Sequence, residues 1–237
     1  MSRFVSPADR HFFTSLHDLS VNSYLNYVHR IKDTKQNYSK WKGLTLMKDP
    51  MTLGIYLQIL QTLKPKTIIE FGTYEGGTSQ WMSDMMKSLG NPCTVHTLDF
   101  ISGDGCEATP KCGDECPHCR VNVSNDIHFY HVNVHDIDTF VVKNHEMFDK
   151  MEHPVLVLED CHENLDGILN NMDLYLKDGD YFIFEDTLDS QKHDKMQSIL
   201  KKYPKYVIDT FYCDMWGTNN SWNVNSILVK HDQPRSE

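Results

Sequence analysis

Several short apolar runs in this 237-residue chain end in carboxylates. Residues 94–98 run into Asp99, residues 154–158 into Glu159 and Asp160, and residues 181–184 into Glu185 and Asp186. A fourth run, residues 67–71, carries Glu70 and leads into the turn Gly72-Thr-Tyr-Glu-Gly-Gly77. Three carboxylates meeting in one place repel unless they are protonated or bridged by a cation. A hard divalent ion with oxygen ligands meets that need, and magnesium is the default. A hydroxyl beside such an ion loses its proton more easily. His162, two residues past Asp160, is the candidate general base for that step. The plain alternatives are helix N-capping for the acids and a surface position for the histidine, one of 13 in the chain.

The glycine turn asks for a nucleotide-like ligand, because glycine lets backbone pass close to a bound molecule. A dinucleotide fingerprint needs G-x-G-x-x-G, and Tyr74 stands where its second glycine would be. A phosphate loop of the Walker type ends in Gly-Lys-Ser/Thr, and no lysine is present in this turn. S-adenosylmethionine, a sulfonium nucleoside without phosphate, needs a turn around its methionine part and an acid for its ribose hydroxyls. Asp99 suits the second task; its plain alternative is to cap the segment that follows.

The stretch Trp41-Lys-Gly43, then Pro50, then Lys64-Pro-Lys-Thr-Ile-Ile-Glu-Phe-Gly-Thr-Tyr-Glu-Gly-Gly-Thr-Ser79 resembles the cephalosporin hydroxylase and rhamnosyl O-methyltransferase family. That family reads W-x-G, then P, then K-P-x-x-I-I-E-x-G-T-x-x-G-G-S, and the resemblance extends over about residues 41–187. It implies a class I methyltransferase fold. It also implies a cofactor site lined by Glu70, Gly72, Thr73, Tyr74, Ser79 and Asp99, and magnesium held by Asp160, Glu185 and Asp186. The run Leu165-Asp-Gly-Ile-Leu169 is similar to the family's Y-E-G-V-L helix and fixes the alignment on Asp160, with Glu159 flanking; a slip of one residue would exchange the two. Asn133 falls where related methyltransferases often place an aspartate near the adenine. His162 comes two residues after the acid, where the family pattern often has three.

Four of the seven cysteines, Cys106, Cys112, Cys116 and Cys119, lie within 14 residues of one another in the loop after Asp99. Four thiolates at that density could close a tetrahedral structural zinc site. A reduced loop without metal is the plain alternative. The segment from Phe211 to Trp222, rich in rings and amides, is expected either to wall a substrate pocket or to pack on the sheet.

The elements that must position these groups alternate. Strands are expected at 67–71, 94–98, 127–132, 154–158 and 181–184. Helices are expected at 51–63, 76–89, 138–151, 164–176 and 190–203, and a closing strand pair at 206–212 and 225–230. This order predicts an α/β fold, Rossmann-like, with a mostly parallel sheet, an antiparallel end and helices on both faces. Ligands of such sheets sit at the carboxyl ends of the strands. One domain over 1–237 is expected, with a helical N-terminal extension at 1–45 and a cysteine-rich loop insertion at 101–126.

The net charge of −10 argues against a nucleic-acid partner, which needs a basic surface. No apolar run approaches the roughly 20 residues of a membrane span, and no signal peptide is evident, so a cytoplasmic protein is expected. The odd cysteine count argues against a disulfide framework. Together these features predict an S-adenosylmethionine-dependent, magnesium-assisted O-methyltransferase of a small-molecule hydroxyl, in a chain that could form a homo-oligomer. An N-methyltransferase, a nucleotide-dependent hydroxylase or oxidoreductase, and a non-catalytic binding protein are the rival expectations.

Overall fold

The computed structural model describes residues 3–10, 39–100 and 123–231. An eight-stranded mixed sheet runs through the centre. Its strands are β1 (Phe4–Val5), β4 (Thr67–Phe71), β5 (Thr94–Asp99), β6 (Ile127–His131), β7 (Val155–Glu159), β8 (Tyr181–Phe184), β9 (Tyr206–Asp209) and β10 (Ile227–Lys230). The remaining two, β2 (Ser39–Trp41) and β3 (Leu44–Leu46), form a separate hairpin. The helices are α1 (Pro50–Leu63), α2 (Gly77–Ser88), α3 (Ile137–Lys143), α4 (His145–Asp149), α5 (Leu165–Asp173), α6 (Ser190–Leu200) and α7 (Thr210–Cys213).

The sheet order is β1-β9-β10-β8-β7-β4-β5-β6. Pairs β4–β5, β4–β7, β5–β6 and β7–β8 are parallel. β10 runs antiparallel between β8 and β9, and β1 closes that edge antiparallel to β9. Helices α1 and α2 pack together, as do α3 with α5 and α5 with α6, so both faces of this Rossmann-like sheet are covered. Every residue of β4, β7 and β8 is buried, as central strands covered on both faces must be.

Register does the positioning. Phe71 pairs with Leu98 and with Glu159, and Glu159 pairs with Phe184. The next residue along each strand therefore falls into one row: Gly72, Asp99, Asp160 and Glu185. A topological switch point lies within this row, because β5 and β7 leave β4 on opposite sides. That is where open α/β sheets bind ligands.

Local chemistry sets the boundaries. Asp49 caps α1 by accepting from the Met51 and Thr52 amides, and Pro50 fills the first helical position, where a missing N–H costs nothing. Lys42 and Gly43 both adopt positive φ in the β2–β3 turn, the conformation a two-residue hairpin of matching twist requires.

Two expectations need correction. The helix expected over 138–151 is two helices, because Asn144 ends the first: its backbone N–H and its side-chain amide both donate to the Phe140 carbonyl. The strand expected over 206–212 stops at Asp209, whose side chain accepts from the Phe211 amide and starts α7. Within the described residues of 1–45, the regular structure is strand and one 3-10 turn at Pro7–Asp9; the rest of the expected helical extension lies outside the described residues. Cys106, Cys112, Cys116 and Cys119 lie outside the described residues.

Candidate active site

Glu70, 2% exposed, anchors the glycine turn from below. Its Oε2 accepts from the Ser79 hydroxyl and, at 2.8 Å, from Thr97. Thr73 and Thr97 share a hydroxyl–hydroxyl bond of 2.6 Å. Burial raises the Glu70 carboxyl from the ordinary carboxylate range to about 7, against the opposing pull of Ser79, Lys48 and Thr97. Glu70 and Ser79 thus hold each other, fixing the start of α2 to the end of β4.

The turn is built for close approach. Gly72 has φ +107, and a Cβ there would lie 2.7 Å from the Asp160 carbonyl carbon and oxygen. The Asp160 amide donates to the Phe71 carbonyl at 2.7 Å. The glycine turn and the first acid of the cluster are therefore in backbone contact. Tyr74, at φ 48 and 42% exposed, donates its amide to Asp99 Oδ2 at 2.7 Å. Asp99 fastens the turn and stands half-buried at the end of β5. Asn133, at the end of β6, caps the next turn by accepting from the His135 amide at 3.0 Å.

The hairpin explains why Trp41-x-Gly43 travels with the double glycine. Trp41 Nε1 donates to Asp84 of α2 at 2.8 Å, and Glu75 in the turn accepts from the Thr45 amide at 3.0 Å. A Cβ on Gly77 would lie 2.0 Å from the Thr45 carbonyl oxygen, so only glycine lets β3 cross the start of α2.

Beyond β7 and β8 the acids divide into two sets. Asp160, His162 and Asp186 converge, each offering a ligand atom within 4.8 Å of the others. His162 Nε2 lies 3.7 Å from Asp160 Oδ1 and 3.6 Å from Asp186 Oδ2. His162 and Asp186 both have positive φ, a costly backbone state for such residues that recurs at functional sites. Glu185 turns inward instead. It is 2% exposed, accepts from Tyr56 Oη at 2.6 Å, and lies 2.6 Å from Lys48 Nζ. Lys48 Nζ is also 2.5 Å from Asp160 Oδ2. Burial, with the charge of Asp160, pushes Glu185 upward, while Lys48 and Tyr56 oppose it. Burial alone would lower the Lys48 ammonium, but Asp160, Glu185 and Asp186 outweigh it and hold that pKa well above the ordinary lysine value.

Glu159, fully buried, does not face the cluster. Its Oε1 accepts the His162 amide at 2.7 Å, and Oε2 pairs with Lys192 Nζ at 2.8 Å. Lys192 Nζ also sits 2.8 Å from His162 Nδ1. An ammonium donating to Nδ1 places the imidazole proton on Nε2, facing Asp160 and Asp186. An open cavity of about 620 Å³ adjoins His162 and Asp186, with Leu188, Lys195 and Trp222 among its walls. Of the aromatic segment, Trp222 reaches this cavity, whereas Trp216 lies over Gly54 and donates to the Met51 carbonyl.

Sequence reasoning missed Lys48, Lys192 and Tyr56. A lone lysine ahead of a helix cap carries no signal of burial; only the fold brings it under the strand ends.

Comparisons with known proteins place the fold in a family. The family model described as rhamnosyl O-methyltransferase/CmcI matches residues 34–205. The rhamnosyl O-methyltransferase of Mycobacterium leprae (strain TN) is 31% identical over 68 residues, covering 29% of this chain and 30% of that protein. The rhamnosyl O-methyltransferase of Mycobacterium tuberculosis (strain ATCC 25618 / H37Rv) is 35% identical over 66 residues, covering 28% and 26%. The match thus spans less than a third of these curated relatives. An apo structure of CmcI superposes with a TM-score of 0.64 at 26% identity, over 82% of this chain and 77% of that one. A CmcI structure with Mg and SAM superposes at 0.62 with 26% identity, over 81% and 76%. With more than half of its length under one family model, the chain belongs to the rhamnosyl O-methyltransferase/CmcI family.

Proposed function

We propose that this protein transfers the methyl group of S-adenosylmethionine to a hydroxyl of a small molecule, with a divalent cation, magnesium, assisting. The observation that carries this is the backbone contact between the glycine turn and the acid cluster, Gly72 against Asp160. A methyl donor held by the turn and an acceptor oxygen held by the cluster would be neighbours, as an in-line displacement needs. In support, a solved relative in the family holds Mg and SAM together.

On this reading Thr73, Tyr74 and Asp99 hold the methionine and ribose parts, Asn133 lies toward the adenine, and Glu70 with Ser79 keeps the turn rigid. Asp160 and Asp186 would hold the cation, with His162 alongside and Glu185 behind them; two carboxylates at this spacing fit a hard ion. The bound ion would lower the pKa of the acceptor hydroxyl. The acceptor would lie in the cavity lined by Leu188 and Trp222. With Lys192 donating to Nδ1, His162 would present an N–H at Nε2 and orient the acceptor as a hydrogen-bond donor; to serve as general base it would need the other tautomer, with Nε2 bare and the Lys192 contact to Nδ1 given up. As a separate proposal, Cys106, Cys112, Cys116 and Cys119 hold structural zinc, which metal analysis of the purified protein tests.

The test is a panel of hydroxylated small molecules with labelled S-adenosylmethionine, run with and without chelator. Metal-dependent label transfer is the expected result. Thermal stabilisation by NAD(H) with none by S-adenosylmethionine would sink the proposal. A second reading, metal-free transfer, is favoured by one observation: Lys48 already balances Asp160 and Glu185. Full activity in chelator would establish it.

A further inference from the structure

We infer that Lys48 is the chain's own counter-ion for the acid cluster, and that it sets how tightly the site takes a divalent cation. This rests on the metal-assisted reading above. The Lys48 side chain is 5% exposed, and its Nζ bridges Asp160 Oδ2 and Glu185 Oε2 at 2.5 and 2.6 Å. Holding the buried Glu185 close to the half-buried Asp160 without a positive charge is costly, because like charges repel strongly in a medium of low dielectric. The ammonium removes that cost.

Its position is not that of a wandering surface lysine. Lys48 lies between the end of β3 at Leu46 and the cap of α1 at Asp49. The hairpin is pinned to α2 through Trp41 and Asp84, and to the glycine turn through Thr45 and Glu75. The Asp49 cap is itself buried, 4% exposed. With its backbone held on both sides, the side chain is delivered to the acids by the fold.

The two oxygens of Asp160 are thereby divided. Oδ2 is taken by Lys48, and Oδ1 faces the His162 and Asp186 side. A divalent ion joining Asp160 to Asp186 meets a like charge at very short range, or displaces the ammonium from Asp160. Either event weakens its binding. Removing the charge of Lys48 then has two effects of opposite sign. The site binds the cation more tightly, and the fold without the cation is weakened, because Asp160 and the buried Glu185 lose their partner. A residue that merely fills space gives neither pattern.

The experiment uses the full chain with Lys48→Met, Lys48→Gln and Lys48→Arg, purified in magnesium. Magnesium affinity is read by calorimetry, and thermal unfolding is recorded in chelator and in excess magnesium. The neutral variants are expected to bind magnesium about tenfold tighter or more. They should melt below the wild type in chelator and recover more than it does when magnesium is added. Lys48→Arg should stay near the wild type in both. Equal or weaker binding by the neutral variants overturns the role of Lys48, as does a neutral variant that no magnesium concentration rescues. If neither the wild type nor any variant binds magnesium, the metal-assisted reading falls, and this inference with it.

Discussion

A methyl group added to Gly72 would lie 2.7 Å from the Asp160 carbonyl and would sit on a backbone of φ +107. Gly90 has φ +71 but nothing within 4 Å of a built Cβ, so it isolates the conformational part. Gly90→Ala is expected to cost about 1 kcal/mol and Gly72→Ala about 3 or more, measured by urea unfolding. Equal losses would mean that the close approach to Asp160 does not matter. Glu70 gives a pH signature. Burial puts its folded pKa at about 7, above the ordinary 4.5. The folded state therefore keeps a proton that the unfolded state releases. This stabilisation is complete below about pH 4.5 and is lost as pH rises through 7, on the order of 3 kcal/mol in all. Glu70→Gln lacks that loss, so it should gain on the wild type between pH 5 and 7.5; a difference independent of pH would refute it. That Glu70, Asp99, Asp160 and Asp186 lie near one another was legible, because strand ends in a parallel sheet converge. Lys48 was not, since its partners are 112 and 137 residues away and no local pattern links them.

Elements were read best where hydrophobic runs meet turn residues. β4 and β8 match their expected bounds, and α1 begins at the Asp49-Pro50 cap. Misreadings arose where one polar side chain overrode the pattern. Asp209 is the clearest: strand-forming residues, Thr210 to Tyr212, continue past it, yet its carboxylate accepts from Tyr181 Oη at 2.7 Å, the Phe211 amide at 3.0 Å and Arg3 at 3.0 Å. Three donors at one buried carboxylate end the strand and start α7. Asp209→Ala removes a cap and leaves the Tyr181 hydroxyl unpaired. It should cost about 2–4 kcal/mol, read from chemical denaturation. A loss under 1 kcal/mol would show that the strand ends for another reason.

For the whole molecule, ligand linkage offers a check independent of turnover. S-adenosylmethionine at about 100 times its Kd should add about 2.7 kcal/mol to unfolding, while NAD(H) adds nothing. Among the described residues no helix is long and apolar enough to cross a membrane. The fold class was legible from the alternation of elements alone, but the eighth strand was not, because two residues at the start of the chain carry no periodicity.

That eighth strand has a consequence for how the chain is made. Phe4 pairs with Asp209, Arg3 reaches the same carboxylate across 206 positions, and Arg10 clasps Asp214 and Asn225. During synthesis β1 emerges long before β9, β10 and the loop that receives Arg10. At roughly 5–20 residues per second, it waits on the order of tens of seconds with no strand to join. A strand made early is thus seated late, and its arrival acts as a latch that closes the antiparallel edge only after everything between has been read out.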